Sequence, residues 1–208
     1  MTSEGIATLA KKRLSRSLSQ LLTEVRACRV CAGQLPFEPR PVLRAHQDAR
    51  ILIAGQAPGT RVHQTGVPWN DPSGDRLRQW LSIDRDAFYD ESRFAIVPMG
   101  YCYPGRGRSG DLPPRGECAA LWLDRLLAQL PNLRLTLLVG QYAQAYYLRD
   151  RRKGSLTETV RSFREYLPRY LPLPHPSPRN QYWLQQNPWF AKQVVPTLRR
   201  ACRKLAVL

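Results

Sequence analysis

Acidic side chains are scarce in this chain, and long apolar runs are missing. Against 32 Lys and Arg stand only 16 Asp and Glu, a formal net charge of +16 at pH 7 over 208 residues. So cationic a surface concentrates polyanions and speeds encounter with them, which makes nucleic acid the default partner. Charge alone would also suit an anionic membrane surface, so it selects a class of partner and not a reaction. No apolar stretch approaches the ~20 residues that a membrane span needs. Met1 to Leu22 lacks the apolar core of a signal peptide. A cytoplasmic protein that acts as a monomer without membrane insertion is therefore expected. The cluster Lys11, Lys12, Arg13 and Arg16 suits either a transit peptide or a docking helix. No internal repeat is visible, which argues against a solenoid or propeller.

The length suits one buried core of roughly 100–200 residues. Leu14, Leu18, Leu21, Leu22 and Val25 recur at helical spacing and predict a helix from Ser15 to Ala27. Arg50 to Gly55 is a short continuous apolar run, the pattern of a strand buried on both faces. A long loop is expected after it. Ser73 to Leu81 reads as a helix capped by Ser73, and Phe94 to Val97 as a second strand. Gly100 to Pro114, rich in Gly and Pro, reads as a loop. Gly116 to Leu130 predicts a helix, Leu133 to Val139 a third strand, Gln141 to Leu148 and Leu156 to Leu167 further helices. Tyr170 to Leu173 reads as a last strand and Trp189 to Leu205 as a terminal helix. Strands alternating with helices predict a three-layer α/β/α fold on a central, mainly parallel four-stranded sheet. The expected division is a basic helical extension over 1–27 and one domain over 28–208.

Two short motifs each follow a predicted strand: Gly55-Gln56-Ala57-Pro58-Gly59 and His175-Pro176-Ser177-Pro178-Arg179-Asn180. Loops at the carboxyl ends of parallel strands meet over the crevice where ligands bind in open α/β sheets. Glycines at 55 and 59 let backbone amides approach a ligand. Pro174 and Pro176 hold His175 on a stiff, non-helical backbone that can aim its ring.

Together these motifs resemble those of the uracil-DNA glycosylase superfamily. The first continues through Thr65-Gly66-Val67-Pro68-Trp69 and Ser73-Gly74-Asp75-Arg76-Leu77, as in its iron-sulphur family. The second matches the His-Pro-Ser-Pro-Arg-Asn motif of the single-strand-selective family. The resemblance implies hydrolysis of the N-glycosidic bond of uracil, or a related deaminated base, in DNA. It implies that Gly55, Ala57, Pro58 and Gly59 line the base pocket and that Trp69 stacks on the flipped base. His175 would donate to the base oxygen that gathers charge, and Ser177, Pro178, Arg179 and Asn180 would engage the DNA.

The classical enzymes place an aspartate where this chain has Ala57, and the iron-sulphur family a glutamate where it has Gln56. The usual general base is therefore absent. Gln56 or Asp71 would hold the water, with His63 and Asp75 as further candidates. Asn70 or Gln56 would read the base edge, since Val97 to Tyr101 supplies no side-chain amide. Without catalysis, the same fold would serve as a nucleic-acid-binding module.

Cys28 and Cys31 form a C-x-x-C pair, and Cys102 and Cys118 follow. In a cytosolic chain, four such cysteines point to a metal before disulfides. Their order resembles the ligands of the [4Fe-4S] cluster in the iron-sulphur family. Zinc on the same four thiolates and no metal are the alternatives.

Overall fold

The computed structural model describes residues 17–108 and 110–206. The basic cluster Lys11 to Arg16 lies outside them. Helix α1 (Leu18–Arg26) begins at a capping box in which Ser17 accepts from the Gln20 N–H while the Gln20 side chain accepts from the Ser17 N–H.

Four strands build the central sheet: β1 (Ile51–Ala54), β2 (Phe94–Ile96), β5 (Leu135–Val139) and β6 (Tyr170–Leu173), in the order β2-β1-β5-β6 and all parallel. The expected mainly parallel four-stranded sheet is thus parallel throughout. Pro172 is tolerated because β6 is an edge strand. Between β1 and β2 run α2 (Thr60–Thr65), α3 (Pro72–Leu81) and α4 (Arg85–Tyr89). The loop expected over Gly100 to Pro114 contains a small antiparallel hairpin, β3 (Arg106–Gly107) with β4 (Gly110–Asp111). Gly116 to Leu130, expected as one helix, forms α5 (Gly116–Cys118), a wide π turn over Ala119–Leu123 and α6 (Asp124–Ala128). Helices α7 (Gln141–Leu148), α8 (Leu156–Arg161), α9 (Gln181–Gln186) and α10 (Val195–Ala206) complete the chain.

Period-2 alternation along each strand divides the core into two layers. Ile51, Ile53, Leu135, Leu137, Leu171 and Leu173 face one side, where they pack with Leu77, Phe88, Phe190 and Leu198. Leu52, Ala54, Ala95 and Leu138 face the other, against Leu21, Leu22, Val25, Leu123 and Leu126. Helix α1 is therefore part of the core that covers the sheet. Each fully buried Leu or Ile contributes roughly 1.5–3 kcal/mol. Among the described residues no helix is long and apolar enough to cross a membrane.

Candidate active site

The two motif loops leave β1 and β6 at the same end of the parallel sheet, and a cavity of about 230 Å³ opens between them. Gly55, Gln56, Ala57, Pro58, Gly59, Trp69, Asp71, His175, Ser177 and Arg179 line it, so most residues expected in the site do converge. Val42, Pro98 and Asp111 join them from segments that carried no motif.

The indole of Trp69 lies against the Gly55 backbone: a Cβ on Gly55 would stand 2.9 Å from Trp69 Cζ2. Its ring centroid is 5.7 Å from that of His175, tilted by 33°. Trp69 itself holds φ +56°, a left-handed conformation costly for a non-glycine residue. Surrounding groups hold it there. The Trp69 carbonyl accepts from Arg78 Nη1 at 3.2 Å, and Tyr89 Oη donates to the Pro68 carbonyl at 2.8 Å. A Cβ on Gly74 would collide with the Trp69 carbonyl at 1.7 Å, so the small residue at the start of α3 is required by this turn.

His175 sits where β6 ends, its Cβ against Gly140. The Ser177 N–H donates to His175 Nδ1 at 3.2 Å, and the Asn180 side chain donates to the His175 carbonyl at 2.7 Å. Burial pushes the imidazole pKa below its ordinary 6.5, against a smaller opposing pull from the Asp71 carboxylate. The ring is therefore neutral near pH 7, and with Nδ1 accepting, Nε2 carries the proton. Arg76 Nη1 donates to the Ser177 carbonyl at 3.1 Å, fastening α3 to this loop.

Two carboxylates reach the cavity. Asp71, not Ser73, is the N-cap of α3 and accepts from the Gly74 N–H at 2.8 Å. Asp111 comes from the β3–β4 hairpin; a Cβ on Gly59 would stand 3.5 Å from its Oδ2. Burial raises the Asp111 pKa, opposed by Arg179 and Arg106 and reinforced by Asp71. Asp111 carries no sequence signal of its own, because two-residue strands show no alternation; the glycines at 107 and 110 are the sign of a hairpin.

Other expected residues stand elsewhere. Gln56 lines the cavity, but its side-chain N–H donates to the Leu112 carbonyl at 2.9 Å and so tethers the hairpin. Asn70 is not in the cavity lining; its Oδ1 accepts from Arg85 at 3.1 Å. Pro178 is exposed on the short 3₁₀ turn that follows Ser177, also outside the lining. His63 is not in the cavity lining and stacks on Phe37 with centroids 5.1 Å apart. Asp75 pairs with Arg78 at 2.6 Å.

The four cysteines come within electrostatic reach of one another. Burial, then the nearby Cys118 and more weakly Cys28 and Cys31, push the Cys102 thiol up to about 12. The Tyr101 N–H donates to Cys118 Sγ at 3.4 Å. As placed, no group of three or more His, Cys, Asp or Glu among the described residues is arranged to hold a metal ion.

A three-layer parallel fold with its cavity at the carboxyl ends of the strands defines a ligand-binding α/β domain. The family model of the uracil DNA glycosylase superfamily matches residues 43–199, and the chain belongs to that superfamily. It is similar to the solution NMR structure of a candidate uracil DNA glycosylase from Methanosarcina acetivorans, with 16% identity and a TM-score of 0.46 over 77% of this chain and 98% of that one.

Proposed function

We propose that the protein is a DNA glycosylase that hydrolyses the N-glycosidic bond of uracil, or of a related deaminated base, in DNA. The observation that carries this reading is the meeting of Trp69 and a neutral His175 in one cavity with two carboxylates. The flipped base stacks on Trp69, a contact worth roughly 1–3 kcal/mol, which offsets extraction from the helix. As the bond breaks, negative charge gathers on a base carbonyl oxygen. The Nε2–H of His175 donates to it, and one preorganised donor of this kind contributes about 3–4 kcal/mol.

Asp111 takes the place of the missing acid of the first motif. A carboxylate with a raised pKa is the better proton acceptor of a pair. It orients water toward the sugar carbon and takes its proton, while Asp71, fixed by its cap, stabilises the sugar cation. Ser177 and Arg179 meet the flanking phosphates.

Cys28, Cys31, Cys102 and Cys118 would hold a [4Fe-4S] cluster, or zinc, since soft thiolates suit either. Bound there, the metal would tie α1 to the loop before the hairpin, and hydrolysis needs no step through it. The test of the glycosylase reading is formation of alkali-labile sites in oligonucleotides bearing uracil, hypoxanthine or xanthine. Strands that stay intact with every one of these bases, at an enzyme concentration equal to the DNA, would refute it.

A further inference from the structure

The basic and aromatic segments around residues 146–153 and 161–170 take no part in the excision cavity, yet the fold brings them together. A second cavity of about 710 Å³ lies between α6, the end of α7 and the starts of β5 and β6. That volume falls within the roughly 300–1,000 Å³ of ligand sites. Because the strands are parallel, this groove lies at the opposite end of the sheet from His175. The five residues of β5 alone span about 16 Å, so one nucleotide cannot occupy both.

Arg134, Arg149 and Arg169 contribute to its lining, against a single acid among the described residues, Asp124, which accepts from Tyr146 Oη at 3.5 Å. Inside the basic rim stands a run of rings. Tyr146 and Tyr147 have centroids 5.3 Å apart and Tyr147 and Tyr170 5.9 Å apart. The Arg169 guanidinium lies 5.5 Å from the centre of the Tyr170 ring. The Tyr147 hydroxyl is buried and has no hydrogen-bond partner among the described residues. A buried, unmatched hydroxyl costs stability unless something satisfies it. Leu127, Leu130 and Leu133 add an apolar wall.

Cationic groups around aromatic rings and a spare hydroxyl match a ligand with phosphates, a planar apolar body and polar edges. We propose that this groove is a second nucleotide-binding site that holds a unit of single-stranded nucleic acid, with phosphates on Arg149 and Arg169 and a base against the tyrosines. The site stands independently of the excision reading, because it needs neither His175 nor base release. It would keep the protein on a strand while the other end of the sheet samples bases.

The test is fluorescence anisotropy of the full chain with an undamaged, labelled oligothymidylate, across a salt series. The double substitution Arg149→Ala with Arg169→Ala should weaken binding about tenfold or more. It should also reduce the salt slope by about 1.4, since each lost single-strand phosphate contact removes roughly 0.7. Arg200→Ala with Arg203→Ala, which removes the same charge from exposed positions on α10, should change affinity much less. Free thymidine monophosphate is the second arm. If it competes, and the groove variant abolishes its binding, the nucleotide site holds and mononucleotides are also ligands. If it does not compete while the groove variant alone loses the strand, the ligand is a nucleic-acid chain. Equal losses in the two double variants, or no loss in the groove variant, would overturn the proposal.

Discussion

The Ser177 N–H donates to Nδ1 of His175 across 3.2 Å, and this one bond decides which face of the imidazole is useful. It consumes the lone pair of Nδ1, so the proton sits on Nε2, while burial keeps the ring neutral. A neutral donor develops its strongest hydrogen bond only as the base gathers charge, which favours the transition state over the ground state.

A pH profile follows from this arrangement. His175 must be neutral and Asp111 ionised, so activity is lost as pH falls through either folded pKa. The first is lowered from 6.5 and the second raised from 3.8, so His175 adds no limb above 6.5 and the Asp111 limb lies above 3.8. Base release measured from pH 4 to 8 should cross 6.5 without inflection. A limb centred at or above 6.5 that persists in the residual activity of Asp111→Asn would show that the imidazole is not held neutral.

Asp111→Asn should lower the rate of base release by about 100-fold or more, the usual consequence of losing a general base. The same change should raise the melting temperature slightly at pH 7. A carboxyl whose folded pKa is raised binds more protons folded than unfolded, so stability falls as pH climbs from the unfolded pKa through the folded one. The gain should therefore shrink toward zero below the unfolded pKa of about 3.8. Scanning calorimetry at pH 3 and pH 7 separates this pattern from an ordinary surface change.

Gly55→Ala should push the indole of Trp69 out of position, since the new Cβ has only 2.9 Å to Cζ2. Misplacement of this order costs on the order of 100-fold in rate. Trp69→Ala should cost about 1–3 kcal/mol in binding to a flipped-base substrate. Comparing KM with kcat for the two variants distinguishes lost stacking from lost alignment.

The cysteine proposal has its own readout. Anaerobically purified protein should contain either iron with acid-labile sulphide and visible absorption, or zinc without colour. Cys118→Ser should lower both metal content and melting temperature. Metal-free protein whose melting temperature ignores that substitution would leave four ordinary thiols.

Much of this was legible in the residues. Continuous apolar runs such as Ile51 to Ala54 show a strand buried on both faces, and parallel order followed from the helices between strands. Motif spacing placed Trp69 and His175 at one end of the sheet. Composition could not show that Asp71 would outcompete Ser73 as helix cap, since both residue types cap well and only the turn at Trp69 decides. Nor could it reveal Asp111, which reaches the cavity through a hairpin held by the Gln56 tether to Leu112. Short helices such as Thr60–Thr65 and Arg85–Tyr89 offer too few turns for a periodic signal.

The most direct measurement is release of free base from oligonucleotides carrying uracil, hypoxanthine or xanthine, in single and double strands, by the intact protein and by His175→Ala. The account predicts release of at least one of these bases, reduced by about 100- to 1,000-fold in the variant. Salt-sensitive binding with no base released from any substrate would contradict it and leave a recognition module on a glycosylase fold.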